Sequence, residues 1–481
     1  MSGPSSPISP PISSSVTAEA AQAGEDASAR ALAAIKARAP LLMVLGGAGT
    51  GKTTFLQRLR REGGGRQVFL APTGVAALQV GGQTIHSFFG IPPRLMNPDE
   101  VRPRVQVRRL LKKLDRVVID EISMVRADLL DAVDISLRIA RDNPAPFGGV
   151  QMVLVGDFLQ LPPVVPMAEQ EMLERMGYEG PFAFHAKALR GAFQGALREA
   201  LGQGAHGWQS WDGVQASMDS LVPMGEVPLT GVPFRTVHRQ TDRAFIDTLD
   251  AIRRGRHLRE ALSVLNEACV RPHRPGVLPV LLTPTNARAD AYNARGLAAL
   301  EEDGRAFDGD LEGEFGLEGD RLPVPERLVL KRGARVMALR NDPARRWVNG
   351  SVGTVVSMDA DSARVKLDDG PTVDMESFTW ERVRYGWDEN TGRIEAKVVG
   401  TYTQLPLAYA WALTMHKAQG LTLEDVRIDF GSGAFAPGQA YVALSRARSL
   451  AGLSLVRAIR PTDIRVDRRV ATFVGAFEAE E

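Results

Sequence analysis

The stretch LLMVLGGAGTGKTTFLQRL, residues 41–59, decides the fold. Its apolar run, 41–45, has the length of a strand buried on both faces. GGAGTGKT (46–53) follows that strand and opens a helix, which is the context a phosphate-binding loop requires. Gly46 and Gly51 let the backbone wrap closely around phosphate oxygens, with Gly47, Ala48, Gly49 and Thr50 supplying amides between them. Lys52 brings a mobile positive charge to the β- and γ-phosphates. Thr53, backed by Thr54, presents a hydroxyl suited to Mg²⁺. The motif points to binding of a nucleoside triphosphate and leaves open what the energy is used for.

Outward from this loop, similar runs recur at QVFLA (67–71), RVVI (116–119) and QMVLV (151–155), separated by helical stretches. That alternation predicts a doubly wound α/β domain with a parallel sheet. An aperiodic, Gly-rich stretch at 202–215 interrupts it, and helix and strand signals return over 233–297. The texture then changes. GARVMALRND (333–342), WVNGSVGTVVSMD (347–359), SARVKLDDGPTVDM (362–375) and EAKVVGTYTQLPLAYA (395–410) alternate and are rich in Val and Thr. With Asn349-Gly350 as a turn, they predict a small antiparallel β-barrel inserted into an α/β host. The expected division is a disordered tail at 1–30 and a first α/β domain at 31–180. A second α/β domain takes 181–295 and 405–481, and the barrel takes 296–404.

Composition narrows the function classes. The chain has 481 residues, 44% hydrophobic and 24% charged, which is ordinary for packed globular domains. A formal net charge of +1 gives no whole-molecule field for a polyanion, so any nucleic-acid contact must come from a local channel. The single cysteine, Cys269, excludes an internal disulfide and reads as a core residue. No apolar run approaches a membrane span, and the Ser- and Pro-rich start has neither a basic region nor an apolar core. No secretory or membrane signal is therefore read. The expected location is cytoplasmic, and nucleoid-associated if the source is bacterial.

Two further strand ends carry chemistry. VVIDEISM (117–124) closes an apolar strand with adjacent carboxylates, too costly to bury unpaired, at the edge where the phosphate loop lies. Asp120 is the candidate Mg²⁺ ligand with Thr53, and Glu121 the candidate for orienting or deprotonating the attacking water. VLVGDFLQLPPV (153–164) ends in Gly156, Asp157 and Gln160. The Gln160 amide both donates and accepts, so it can sense a γ-phosphate.

Taken together, GGAGTGKT, APTGVAALQVGGQTIHSFFGIP (71–92), DEISMVRADLLDAVD (120–134) and GDFLQLPPV (156–164) resemble the successive motifs of superfamily 1 DNA helicases. More narrowly, they resemble the Pif family in the RecD/Dda branch. VHRQ (237–240), TPTNARAD (283–290), LTMHKAQGLTLEDV (413–426) and GQAYVALSRARSL (438–450) continue in the family's order, so the resemblance spans roughly 40–457. It implies two RecA-like P-loop domains with parallel sheets plus the inserted barrel. It further implies ATP and Mg²⁺ as cofactors, 5′-to-3′ movement on single-stranded DNA and unwinding of forked or structured DNA. A monomer is expected, with replication or repair proteins as candidate partners.

Residue by residue, the resemblance makes Arg239 and Arg446 the arginines that reach the γ-phosphate across the cleft. Gly420 falls on the nucleotide side of the intervening segment. DNA contacts are implied at Thr73, Thr84 and His86 on the first domain, and at Thr283, Asn286, His416 and Lys417 on the second. Within a wedge region at about 84–104, Phe89 either stacks on a base or is a core ring. The basic run at 102–116 reads as either a solvated helix face or a DNA contact. The family's adenine-recognition glutamine falls on Ala29, with Gln22 the nearest candidate, and 195–232 has no counterpart. The remaining alternatives are a DNA-stimulated translocase that leaves strands paired and a P-loop kinase or nucleotide switch.

Overall fold

The computed structural model describes residues 27–200, 228–240, 242–274, 276–319, 322–344, 346–368, 370–388 and 393–479. Six parallel strands form the first sheet, in the order Gln83–Thr84, Gln67–Ala71, Arg116–Ile119, Gln151–Gly156, Leu41–Gly46 and Leu229–Phe234. Every side chain of the two central strands, Gln151–Gly156 and Leu41–Gly46, is buried. That is why they read as unbroken apolar runs rather than alternating ones. The phosphate loop and the DE and GD turns all leave the carboxyl ends of these strands, so topology alone gathers them at one rim.

The second sheet is smaller, with parallel order Ala412–Thr414, Val280–Thr283, Val426–Ile428, Leu453–Leu455. Between its strands lies the insertion. An antiparallel five-stranded sheet runs Thr372–Glu376, Ser362–Leu367, Val352–Met358, Arg335–Ala338 and Leu407–Tyr409. A long hairpin, Phe378–Asp388 with Arg393–Gln404, projects from it and pairs with Asp310–Gly313. Its far end docks on the first domain. Tyr385 accepts a hydrogen bond from the Phe69 amide at 3.3 Å and donates its own amide to Gln83 at 3.0 Å. Lys113 lies 3.5 Å over the Trp387 ring.

Several expected boundaries move. Residues 27–36 are helical, with Ala27, Ala31, Leu32 and Ile35 buried against the first sheet, so the packed chain starts before residue 31. Residues 182–197 and the strand Leu229–Phe234, expected in the second domain, belong to the first. So does the last helix, Arg468–Ala479, whose Val470, Phe473, Val474 and Phe477 join the first core. Leu407–Tyr409 pairs with the barrel strand Arg335–Ala338, so the insertion runs past 404 and the host sheet resumes at Ala412. Residues 201–227, most of the stretch without a family counterpart, lie outside the described residues, as does Gln22. No helix among the described residues is long and apolar enough to cross a membrane.

Candidate active site

The first domain supplies an acidic and amide-rich lip. Gly49 has φ 75°, and a Cβ built there would sit 2.5 Å from the Arg239 Cβ, so only glycine lets the second segment approach. Lys52 Nζ donates to the Gly46 and Gly47 carbonyls at 2.7 and 2.8 Å. Burial holds its pKa below the ordinary lysine value, opposed by Asp157, Glu121 and Asp120 nearby. Asp120 accepts from the Glu121 amide at 2.9 Å, and burial pushes its pKa up. Glu121 sits in the left-handed region at φ 50°. Burial, reinforced by the adjacent Asp120 charge and opposed by Lys52 and Arg446, pushes its pKa to about 7. A carboxyl poised near neutrality is suited to proton abstraction.

The second domain faces it with cations and amides. Arg239 donates to the Ser445 and Gly420 carbonyls, both at 3.2 Å. Arg446, 2% exposed, donates to the carbonyls of Val442 and Leu421 at 2.7 and 3.2 Å and to the Ser445 hydroxyl at 2.7 Å. Burial and then the neighbouring Arg239 lower its pKa to about 9. Among the described residues, neither guanidinium has a carboxylate in ion-pair contact. A buried cation, Arg446, beside the half-buried Arg239, both held only by neutral oxygens, is costly unless an anion arrives between them. The turn after Ala412–Thr414 faces two ways. Gln419 donates to Glu121 at 3.2 Å and approaches Gln160 Oε1 at 3.4 Å, while Lys417 is exposed to solvent.

Three seam residues escaped the sequence reading. Tyr441 accepts from the Ala48 amide of the phosphate loop at 2.9 Å. Gln240 donates to the Ala447 carbonyl at 2.9 Å. Arg253, 6% exposed, pairs with Asp157 at 2.7 Å. A sequence signal existed for it: Phe245, Thr248, Leu249, Ile252 and Arg253 share the buried face of the helix Arg243–Arg254, so an arginine falls on an apolar stripe.

With this geometry in view, the relatives are informative. A family model for PIF1-like helicases matches residues 25–176. The ATP-dependent DNA helicase Pif1 of Bdellovibrio bacteriovorus is 34% identical over 450 residues, covering 91% of this chain and 88% of that protein. The chain belongs to the PIF1-like helicase family. The mouse ATP-dependent DNA helicase PIF1 is also 34% identical, with 90% of this chain covered, but this chain spans only 60% of the mouse protein's length. The fold agrees with Bacteroides Pif1 in complex with ADP-AlF4, at a TM-score of 0.81 and 32% identity, covering 95% of this chain and 97% of the other. Against Bacteroides Pif1 bound to single-stranded DNA, coverage is again 95% and 97% and identity 33%, but the TM-score is 0.61. By TM-score the overall fold is as near the unliganded Bacteroides Pif1, at 0.80, as the ADP-AlF4 complex, and nearer either than the DNA-bound form.

The family's DNA positions do not all lie at the surface. Thr73 and Thr84 each cap a short helix, accepting from Ala76 and Ser87 at 3.3 and 3.2 Å, and Thr73 stays exposed. His86 is half-buried beside the Ile91 carbonyl at 3.2 Å, its pKa lowered by burial. Phe89 is corrected: at 2% exposure it packs edge to face on Phe88 within the first core, so it is a core ring with no face for a base. Thr283 is corrected too, being fully buried with its hydroxyl donated to the Thr285 carbonyl. Asn286 and Lys417 are exposed, and His416, half-buried with its pKa lowered by burial, lies parallel to Phe435 at 5.9 Å between centroids. Phe435 is 55% exposed and was not foreseen. The basic run is mixed: Arg116 is buried in hydrogen bonds to Gln151 and Gln67, both 2.7 Å, whereas Arg109 faces solvent. Ala29, at the family's adenine position, is an exposed helix residue.

Proposed function

We propose that this chain is an ATP-dependent DNA helicase that moves 5′ to 3′ along single-stranded DNA and separates forked or structured duplexes. The observation carrying this is the position of Glu121: its carboxylate belongs to one lobe, and the side chain bonded to it, Gln419, belongs to the other. Hydrolysis assembled across a seam changes the relation of two lobes, as a translocating motor requires and a simple nucleotide switch does not.

Lys52 and the loop amides hold the β- and γ-phosphates, and Glu121 takes the proton of the attacking water. Arg239 and Arg446 neutralise charge that develops on the transferred phosphoryl group, a role worth roughly 10³–10⁵ in rate. The oxygens of Thr53 and Asp120 are hard donors suited to Mg²⁺, which supplies charge neutralisation at the phosphates. The relatives, which are DNA helicases, support DNA as the polymer, and the DNA-bound Bacteroides form supports a single strand. On this chain the strand would cross Thr73 on the first lobe and Asn286, His416, Lys417 and Phe435 on the second. Small polar contacts plus an aromatic face give binding without sequence preference.

Strand separation on 5′- and 3′-tailed duplexes tests the reading. Unwinding of the 5′-tailed substrate alone is expected. DNA-stimulated hydrolysis with both duplexes left intact would instead make the chain a translocase.

A further inference from the structure

Asp157 is 1% exposed, and its two oxygens serve both lobes. Oδ1 accepts from Arg253 Nη2 at 2.7 Å and Oδ2 from Arg253 Nε at 3.3 Å. The Leu159 amide also donates to Oδ1 at 3.2 Å, and the Gln160 side-chain amide donates to Oδ2 at 3.1 Å. A side-chain amide has two ends, and a flip exchanges donor for acceptor at nearly the same shape. An ionised carboxylate only accepts, so it fixes which end of Gln160 faces it. The carbonyl end is thereby turned towards Gln419, which also holds Glu121.

We infer that Arg253 is a positioning residue that sets the orientation of the Gln160 amide through Asp157, and so couples closure of the second lobe to γ-phosphate sensing. The path is continuous: Arg253 to Asp157 to Gln160 to Gln419 to Glu121. Arg253 is fixed on its own lobe, since Phe245, Leu249 and Ile252 of the same helix are in the second core. It also lies against the phosphate loop, its Nε 3.5 Å from where a Cβ on Gly47 would stand. When the lobes part, Asp157 loses its fork of donors, and the glutamine loses the fixed carboxylate that aligns it. The guanidinium shape matters as much as the charge, because lysine cannot grip both oxygens at once.

This inference rests on the ATPase reading above, and a double-mutant cycle separates the two. Hydrolysis is measured at saturating single-stranded DNA for the wild type, Arg253→Lys, Gln160→Ala and the double variant, with melting temperatures alongside. Arg253→Lys should lower kcat by roughly 5- to 150-fold, the range of ordinary coupling between sites, with KM for ATP within about twofold. In the Gln160→Ala background the same substitution should change kcat by less than about twofold, because the group it orients is gone. Losses that multiply in the double variant, as a merely structural arginine would produce, overturn the inference, and so does a wild-type kcat for Arg253→Lys. If Arg253→Lys melts early, Asp157→Asn takes its place, and the same loss of effect beside Gln160→Ala is expected. A wild type whose hydrolysis ignores DNA would instead remove the motor reading itself.

Discussion

The seam and the proposed DNA face solve opposite problems. At the seam, side-chain positions are over-determined: Arg446 bonds at 2.7 Å to Val442 in the helix preceding it and at 3.2 Å to Leu421, and Asp157 is gripped by Arg253, Gln160 and a backbone amide. On the proposed DNA face, Thr73 and Thr84 are already occupied as helix caps, and Thr283 is enclosed. There the hydroxyls shape the backbone, and the exposed amides, lysine and aromatic ring present the surface. Charge chemistry needs low dielectric and fixed geometry. A track that must release its strand at every step is better built from shallow, sequence-tolerant contacts.

If the contrast is right, damage at the seam should abolish turnover and spare DNA binding. Lys52→Ala gives the largest expected effect, complete loss of ATP turnover with single-stranded DNA affinity unchanged by fluorescence anisotropy. Joint loss of DNA binding would merge the two regions into one. Glu121→Gln comes next, lowering kcat by a factor on the order of 10³, comparable to loss of other groups acting on the transferred phosphoryl. With Glu121 as the base, its protonation in the free enzyme removes catalysis, so kcat/KM for ATP should fall about tenfold per unit below about pH 7. In Glu121→Gln that limb should vanish.

Phe435→Ala tests the other region. It should weaken single-stranded DNA binding by roughly 5- to 150-fold, the span of one base–aromatic stack, without changing the salt slope because no charge is lost. Hydrolysis without DNA should stay at the wild-type rate; a parallel loss there would tie Phe435 to the seam. The smallest effect concerns stability. Glu121 has a folded pKa above its ordinary 4.5, so folding favours its protonated form and ionisation weakens the fold as pH rises through that interval to about 7. Glu121→Gln should therefore raise the melting temperature above pH 7, by about a few degrees, and have no such effect below about pH 4.5. A lowered melting temperature at pH 8 would contradict the burial argument.

What the sequence disclosed follows the same division. The phosphate loop, the DE turn and the GD turn are contiguous strings at strand ends, where burial and chemistry meet within a few residues. Arg253 was hidden because its partner, Asp157, is remote in the chain and only the lobe arrangement joins them. Leu229–Phe234 escaped assignment to the first sheet because Gly231 and Pro233 weaken its strand pattern, tolerable only because it is an edge strand. The Phe88-Phe89 pair was ambiguous by nature: an aromatic pair reads alike as platform or core until neighbours such as Tyr385 are in place. The final helix could not be assigned locally, since the apolar stripe of Val470, Phe473, Val474 and Phe477 marks a buried face without naming the domain that covers it.

Coupling of the two lobes requires a second-lobe arginine to act on a nucleotide held by the first, and Arg239→Ala measures that most directly. With ATP affinity and DNA-stimulated kcat determined on the same preparation, affinity should stay within about threefold while kcat falls by roughly 10³ or more. A kcat near the wild-type value with ATP bound normally would mean that the two lobes do not share the chemistry.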